Sequence, residues 1–162
     1  ASAAKGEGLN LEAALKAGAP MGGHIVQGHI DGVGRVASWK DLPDGSGREL
    51  TVRIPDAFTR YCVEKGSIAL NGVSLTIASI DGDAVRIALV PHTLSHTNLG
   101  RMQVGARIHF EVDVIGKYVE KLLGYLGNPD VATPGLQAAK PAAAAAASTL
   151  DAANLGKWGY GV

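Results

Sequence analysis

"SIALNGVSLTIASIDGDAVRIALVPH", residues 67 to 92, reads as two strand pairs in succession. Asn71-Gly72 breaks the first pair and Asp81-Gly82 the second, and both dipeptides tolerate the positive φ that tight hairpin turns require. Upstream, "ELTVRIP" (49–55) alternates Leu50, Val52 and Ile54 with Thr51 and Arg53, the period of a half-buried strand. A Pro-Asp-Gly signal in "LPDGSGREL" joins it to "HIVQGHIDGVGRVASW" (24–39), which is strand-like with glycine breaks. "DAFTRYCVEKG" (56–66) predicts a short helix with Asp56 at its N-cap, Phe58, Tyr61 and Cys62 at helical spacing, and Gly66 at its C-cap. Downstream, "TLSHTNLG" (93–100) suggests one or two helical turns, and "ARIHFEVDV" (106–114) is another alternating strand. Five or six short strands with turns between them argue an all-β, small antiparallel barrel rather than a parallel α/β sheet. The 22 glycines suit its corners and bulges.

After Asp113 the period changes. In "VIGKYVEKLLGYLG" (114–127) Ile115, Val119, Leu122 and Leu126 make a narrow helical seam. A helix packed on its own barrel and a helix used for subunit assembly both fit this pattern. Residues 128–162 are rich in Ala and Pro, with few large side chains, and predict a disordered tail.

Composition narrows the function classes. Fifteen Lys plus Arg against fifteen Asp plus Glu give zero formal charge, so the basic footprint of a nucleic-acid binder is missing. No apolar run approaches the roughly 20 residues that span a bilayer. One cysteine, Cys62, cannot make an internal disulfide, and the first residues lack the order of a secretory signal, so the expectation is a soluble cytoplasmic protein.

Individual residues carry little chemistry on their own. His24 and His29 are five apart, on opposite faces of a regular strand, and cannot chelate one metal from it. His92 and His96 share a helical face, but no Cys, Asp or Glu cluster accompanies them. "DGVGRV" (31–36) leads into a strand and lacks the third glycine of a dinucleotide fingerprint. Ser74 and Thr76 share one strand face; a nucleophile there needs a base that spacing does not supply, and such hydroxyls are more often solvent-facing.

Five stretches taken together say more. "LNLEAAL" (9–15), "GGHIVQGHIDGVG" (22–34), "YCVEKGSIALNGVSLT" (61–76), "LVPHTLSHTNLG" (89–100) and "VGARIHFEVDVIGKYVEKLL" (104–123) resemble, in order and spacing, the second half of α-chain riboflavin synthases. The resemblance runs from about Leu9 to Leu123. It implies a six-stranded Greek-key barrel over 22–113 followed by an oligomerisation helix over 114–127. Residues 9–21 resemble the end of that family's first barrel and the linker after it, while residues 1–8 match nothing in the family. The first barrel, with its Met-Phe-Thr-Gly-Ile-Val type start and Cys-Leu-Thr motif, is absent from the sequence.

The resemblance further implies the dismutation of two 6,7-dimethyl-8-ribityllumazine molecules, one giving a four-carbon unit to the other, to form riboflavin and a ribitylamino-pyrimidinedione. No metal or redox cofactor is implied. In that family three subunits assemble through their helices, and each active site lies between the first barrel of one and the second barrel of another. Carried over by position, Gly28, His29 and Ile30 match a ligand-contacting segment, and Lys65 matches a ribityl-contacting lysine. Ser74, Leu75 and Thr76 match the strand that hydrogen-bonds the heterocycle, and Ala88, Leu89, Val90, Pro91, His92 and Thr93 match the stretch bordering the same ring. Asp113 matches a carboxylate near the paired substrates. The catalytic candidates are therefore His29, Ser74, Thr76 and Asp113, with His24 as a rim support and Cys62 without a role. Asn71 stands where second barrels commonly carry Asp. The alternative function is a module that holds lumazine or flavin without turning it over.

Overall fold

The computed structural model describes residues 8–126, apart from positions 15, 17 and 44. Six strands follow one another: β1 (Gly32–Asp41), β2 (Arg48–Arg53), β3 (Ser67–Leu70), β4 (Val73–Asp81), β5 (Ala84–Leu89) and β6 (Arg107–Val112). A single helical turn, α1 (Asp56–Thr59), joins β2 to β3. The helix α2 (Pro91–His96) and a 3₁₀ turn (Asn98–Arg101) join β5 to β6, and α3 (Val114–Leu126) follows β6. The expected tail, residues 1–7 and the Leu126 side chain of the seam lie outside the described residues.

All six strands pair antiparallel in the order β1-β2-β5-β4-β3-β6, and β1 closes the barrel by pairing with β6. Strands β3, β4 and β5 are consecutive hairpins and β6 returns beside β3, which is a Greek key. The β3–β4 turn has two residues in the left-handed region, Asn71 (φ 47°) and Gly72 (φ 80°), as the sequence requires. Extra residues at Ala37 in β1 and Ala78 in β4 interrupt the register and let the sheet curl.

Alternation fills the barrel. Val36, Leu50, Val52, Ile68, Leu70, Ile77, Val85, Ile87, Ile108 and Phe110 are fully buried. Each such burial is worth about 1.5–3 kcal/mol. Gly32 pairs with Phe110 across β1 and β6, and a Cβ on it would lie 2.8 Å from the ring, so the glycine makes room for the aromatic. Phe58 of α1 meets Phe110 edge-on, with ring centroids 5.2 Å apart.

Two local expectations are corrected. Residues 24–31 are not strand: β1 starts at Gly32, and the preceding segment crosses the outside of the barrel, held by side-chain bonds described below. The helix expected over 56–66 is one turn, with Asp56 in its first turn and Pro55 at its N-cap. It stops there because the chain is drawn back into the sheet. Lys65 takes φ 65° and gives its N–H to Ile77 O, and Ile77 N–H bonds Gly66 O, both at 2.9 Å.

Candidate functional site

Ser74, Thr76 and the 88–93 stretch flank the point where the ladder between β4 and β5 opens, with Lys65 one strand away. Gly28, His29 and Ile30, which follow Gln27 at β6, and Asp113, which follows β6, lie outside it. These strands pair from Asp81/Ala84 down to Ile77/Ile87. Beyond that point, among the described residues, Val73 to Thr76 pair only with β3, and Ala88 and Leu89 only with β2. Ile77 exchanges its backbone bonds with the Lys65–Gly66 side. Ladder alternation therefore turns the main-chain groups of Thr76 and Ser74 toward the β5 edge. The side chains of Ser74 and Thr76 are exposed on the outer face, while Leu75 between them enters the core.

The opposite flank of the opening carries Ala88 and Val90, both exposed, with Leu89 buried between them. Leu75 and Leu89 thus turn their side chains into the core, and their main-chain groups belong to the ladders with β3 and β2. Pro91 starts α2, His92 stacks on His96 with centroids 4.0 Å apart, and half-buried Thr93 accepts the Thr97 hydroxyl at 2.7 Å. Lys65 is exposed and has no ion-pair partner among the described residues. Asp113 spends its Oδ1 on the Ile115 N–H at 3.0 Å, capping α3.

A strap of residues 23–31 runs over the outer face of β4, β3 and β6. His24 Nδ1 lies 2.9 Å from Ser74 Oγ. A Cβ on Gly23 would lie 2.6 Å from that same oxygen. Gln27 N–H bonds Glu111 Oε1 at 2.7 Å. Asp31 Oδ2 accepts Val112 N–H at 2.9 Å, and its Oδ1 pairs with Lys117 of α3. Gly28, His29 and Ile30 are exposed on this strap, and Gly28 sits at φ 74° with open space around it. Its glycine is required by backbone conformation. Because the strap is not a strand, His24 and His29 are not set on opposite strand faces: His24 turns to Ser74 while His29 stays in solvent.

Sequence reasoning missed Glu111 and Asp31. Glu111 occupies an outward position of β6 and reads as a solvated carboxylate, yet it is 4% exposed beneath the strap. Among the described residues no three His, Cys, Asp or Glu converge as metal ligands do. Burial pushes the Cys62 thiol up to about 11, which keeps it neutral and a poor nucleophile. A cavity of about 800 Å³ lies on the far side, against β1, β2 and β5, lined by Arg35, Lys40, Glu49, Arg53 and Arg86. It includes none of the site candidates, and Arg53 and Arg86 are paired with Asp83 and Asp81. The chemistry therefore points to the β4/β5 opening.

A closed Greek-key barrel with a hydroxyl-lined break in its ladder defines a class of small-ligand barrels. Residues 27–113 match the lumazine binding domain family, and the chain belongs to it. It is 40% identical over 115 residues to riboflavin synthase from Actinobacillus pleuropneumoniae, covering 71% of this chain and 53% of that one. It is also 40% identical over 125 residues to riboflavin synthase from Mycobacterium tuberculosis, covering 75% of this chain and 61% of the relative. The chain spans about half the length of the curated relatives it matches. The crystal structure of LumP complexed with 6,7-dimethyl-8-(1'-D-ribityl) lumazine superposes with TM-score 0.55 at 26% identity, over 64% of this chain and 54% of that chain. LumP complexed with riboflavin gives TM-score 0.52 at 28% identity, over 59% and 50%.

Proposed function

We propose that this chain is the second-barrel half of a riboflavin synthase. It holds 6,7-dimethyl-8-ribityllumazine at the β4/β5 opening for four-carbon transfer to a second lumazine. The observation that carries the reading is the break in the ladder beside exposed Ser74 and Thr76. A flat heterocycle with amide-like edges can take the place of the missing strand partner there, its hydrogen bonds replacing those of a ladder. Ser74 and Thr76 handle protons, the 88–93 stretch borders the ring and Lys65 reaches the ribityl chain; Gly28, His29 and Ile30, exposed beside β6, are left for the second ring and its protons. Asp113 retains one carboxylate oxygen beyond its helix cap for a ribityl hydroxyl.

Holding two rings face to face supplies much of the rate by orientation. The 7-methyl proton of the lumazine needs only a modest base, because its carbanion is delocalised into the ring. Two rings need two walls, and residues 22–113 supply one. The other comes from a first barrel, and assembly as a trimer runs through α3. A lone buried thiol suits a reducing compartment, so the reading places the protein in the cytoplasm.

The second reading, a binding module without turnover, is favoured by the likeness to LumP in complex with lumazine and riboflavin. Titration with the lumazine, followed by ligand fluorescence, should saturate, and adding a riboflavin synthase first barrel should then produce growing riboflavin fluorescence. Saturation without riboflavin supports the module, and no binding sinks both.

A further inference from the structure

Glu111 is buried on the outside of a barrel, a costly place for a carboxylate. Its row runs Glu111, Ala69, Ser74 across β6, β3 and β4, on the face opposite the core. Oε1 accepts the strap's Gln27 N–H, but Oε2 is buried without a hydrogen-bond partner. Among the described residues, one other buried side-chain atom shares that condition: His24 Nε2, on the same strap. Leaving such groups unpaired costs about 1–3 kcal/mol each. One of the two is an acceptor and the other can donate.

Their placement brings them together. His24 is bonded to Ser74 on β4, and Gln27 to Glu111 on β6. Three extended residues cover about 10 Å. Two inter-strand spacings are roughly 9.6 Å. The strap therefore crosses the three strands squarely, and outward-facing Ala69 beneath it is only 1% exposed. An imidazole hydrogen-bonded at both nitrogens spans roughly 8 Å, and the two methylenes of Glu111 make up the remainder.

We propose that Glu111 is a positioning residue for His24. Its Oε2 receives the His24 Nε2–H, directly or through one buried water, so that Ser74, His24 and Glu111 form one line leading away from the β4/β5 opening. Its chemical use rests on the reaction proposed above. With Nε2 donating to Glu111, Nδ1 is an acceptor and Ser74 donates its hydroxyl proton to it. The lumazine 7-methyl proton passes to the Ser74 oxygen as the Ser74 proton passes to Nδ1. The C–H electron pair stays on the ring system, and Glu111 stabilises the imidazolium. Hydroxyl, imidazole and carboxylate in this order orient a base by geometry, whatever their order in the chain.

The His24 tautomer reports this line without turnover. Proton–nitrogen correlation spectra of the ¹⁵N-labelled chain at mildly alkaline pH should show His24 protonated on Nε2. Ser74→Ala should leave it so, because Glu111 sets the tautomer. Glu111→Gln keeps an oxygen for the Gln27 N–H but turns a donor toward the ring, and should move the proton to Nδ1. An Nδ1–H tautomer in the unsubstituted chain, a change of tautomer in Ser74→Ala, or no change in a folded Glu111→Gln chain would each overturn the proposal. In the assay with an added first barrel, Glu111→Gln should lower kcat by about 10²-fold, the low end for general acid–base catalysis, with KM unchanged. A loss confined to KM would mark a structural anchor and also overturn it. Absence of lumazine binding by the unsubstituted chain would sink the functional reading while leaving the tautomer result standing.

Discussion

Asn71 and His109 exchange hydrogen bonds across the end of the barrel. Asn71 Oδ1 accepts His109 N–H, and Asn71 N–H bonds His109 O, both at 2.9 Å. The same asparagine forms the left-handed corner between β3 and β4 and donates Nδ2 to Asn98 Oδ1 at 3.3 Å. Its carbonyl takes Asn10 Nδ2 at 2.9 Å, which ties the segment before the strap to the barrel. Here the asparagine serves structure, whatever an aspartate does in relatives.

Asn71→Asp should therefore destabilise the chain by about 1–3 kcal/mol at neutral pH, because a carboxylate oxygen would face the Asn98 Oδ1 acceptor. The deficit should shrink below the carboxylate pKa, where the protonated acid can donate. Urea midpoints of parent and variant at matched pH values check both parts.

Cys62 predicts an alkaline limit to stability. Its thiol ionises near its ordinary value of 9.0 in the unfolded chain and only at about 11 in the barrel. Between those values the folded state binds more protons than the unfolded one, so stability falls as pH rises. The loss reaches about 2–3 kcal/mol above the upper value. Cys62→Ala should flatten that part of the stability profile, and an unchanged slope between pH values of about 9 and 11 would remove Cys62 as its cause.

What was legible in the sequence was local. Asn71-Gly72 declared its turn because positive φ is restrictive, and the alternation in β2, through Leu50, Val52 and Ile54, declared its inward face. The strap was illegible because its structure depends on partners 50 to 84 positions away, Ser74 for His24 and Glu111 for Gln27. The helical spacing of Phe58, Tyr61 and Cys62 misled for a similar reason. Pairing of Lys65 and Gly66 with Ile77 overrode the local preference. Ser74 and Thr76 were visible as a same-face pair, but the break in the ladder beside them belongs to a register that local patterns do not encode.

Ser74 and Thr76 should separate in binding. Ser74 shares its hydroxyl with His24, whereas the Thr76 side chain is exposed beside the opening. Thr76→Val should weaken lumazine binding about 2- to 10-fold, the worth of one neutral hydrogen bond, and leave the fold intact. Ser74→Ala should weaken it comparably and also release His24, raising hydrogen exchange in residues 23–27. Fluorescence titration and exchange by mass spectrometry test the pair, and identical exchange in both variants would show that the His24 bond does not hold the strap.

The helix after the barrel offers the sharpest test of assembly. Its inner side is polar or small: Lys117 pairs with Asp31, Glu120 takes Tyr61 and Arg60, and Gly116 lies against Tyr61, where a Cβ would be 3.6 Å away. The large apolar residues Ile115, Tyr118, Val119 and Leu122, at i, i+3, i+4 and i+7, are left exposed. A helix meant only to cover its own barrel would turn that stripe inward. On the reading proposed above, subunits meet on this apolar surface, and full burial of each side chain there would be worth about 1.5–3 kcal/mol. Val119→Lys with Leu122→Lys should therefore lower the mass measured by light scattering to that of smaller species. The barrel should still melt cooperatively, since neither residue belongs to its core. An unchanged mass would mean that α3 is not the assembly element.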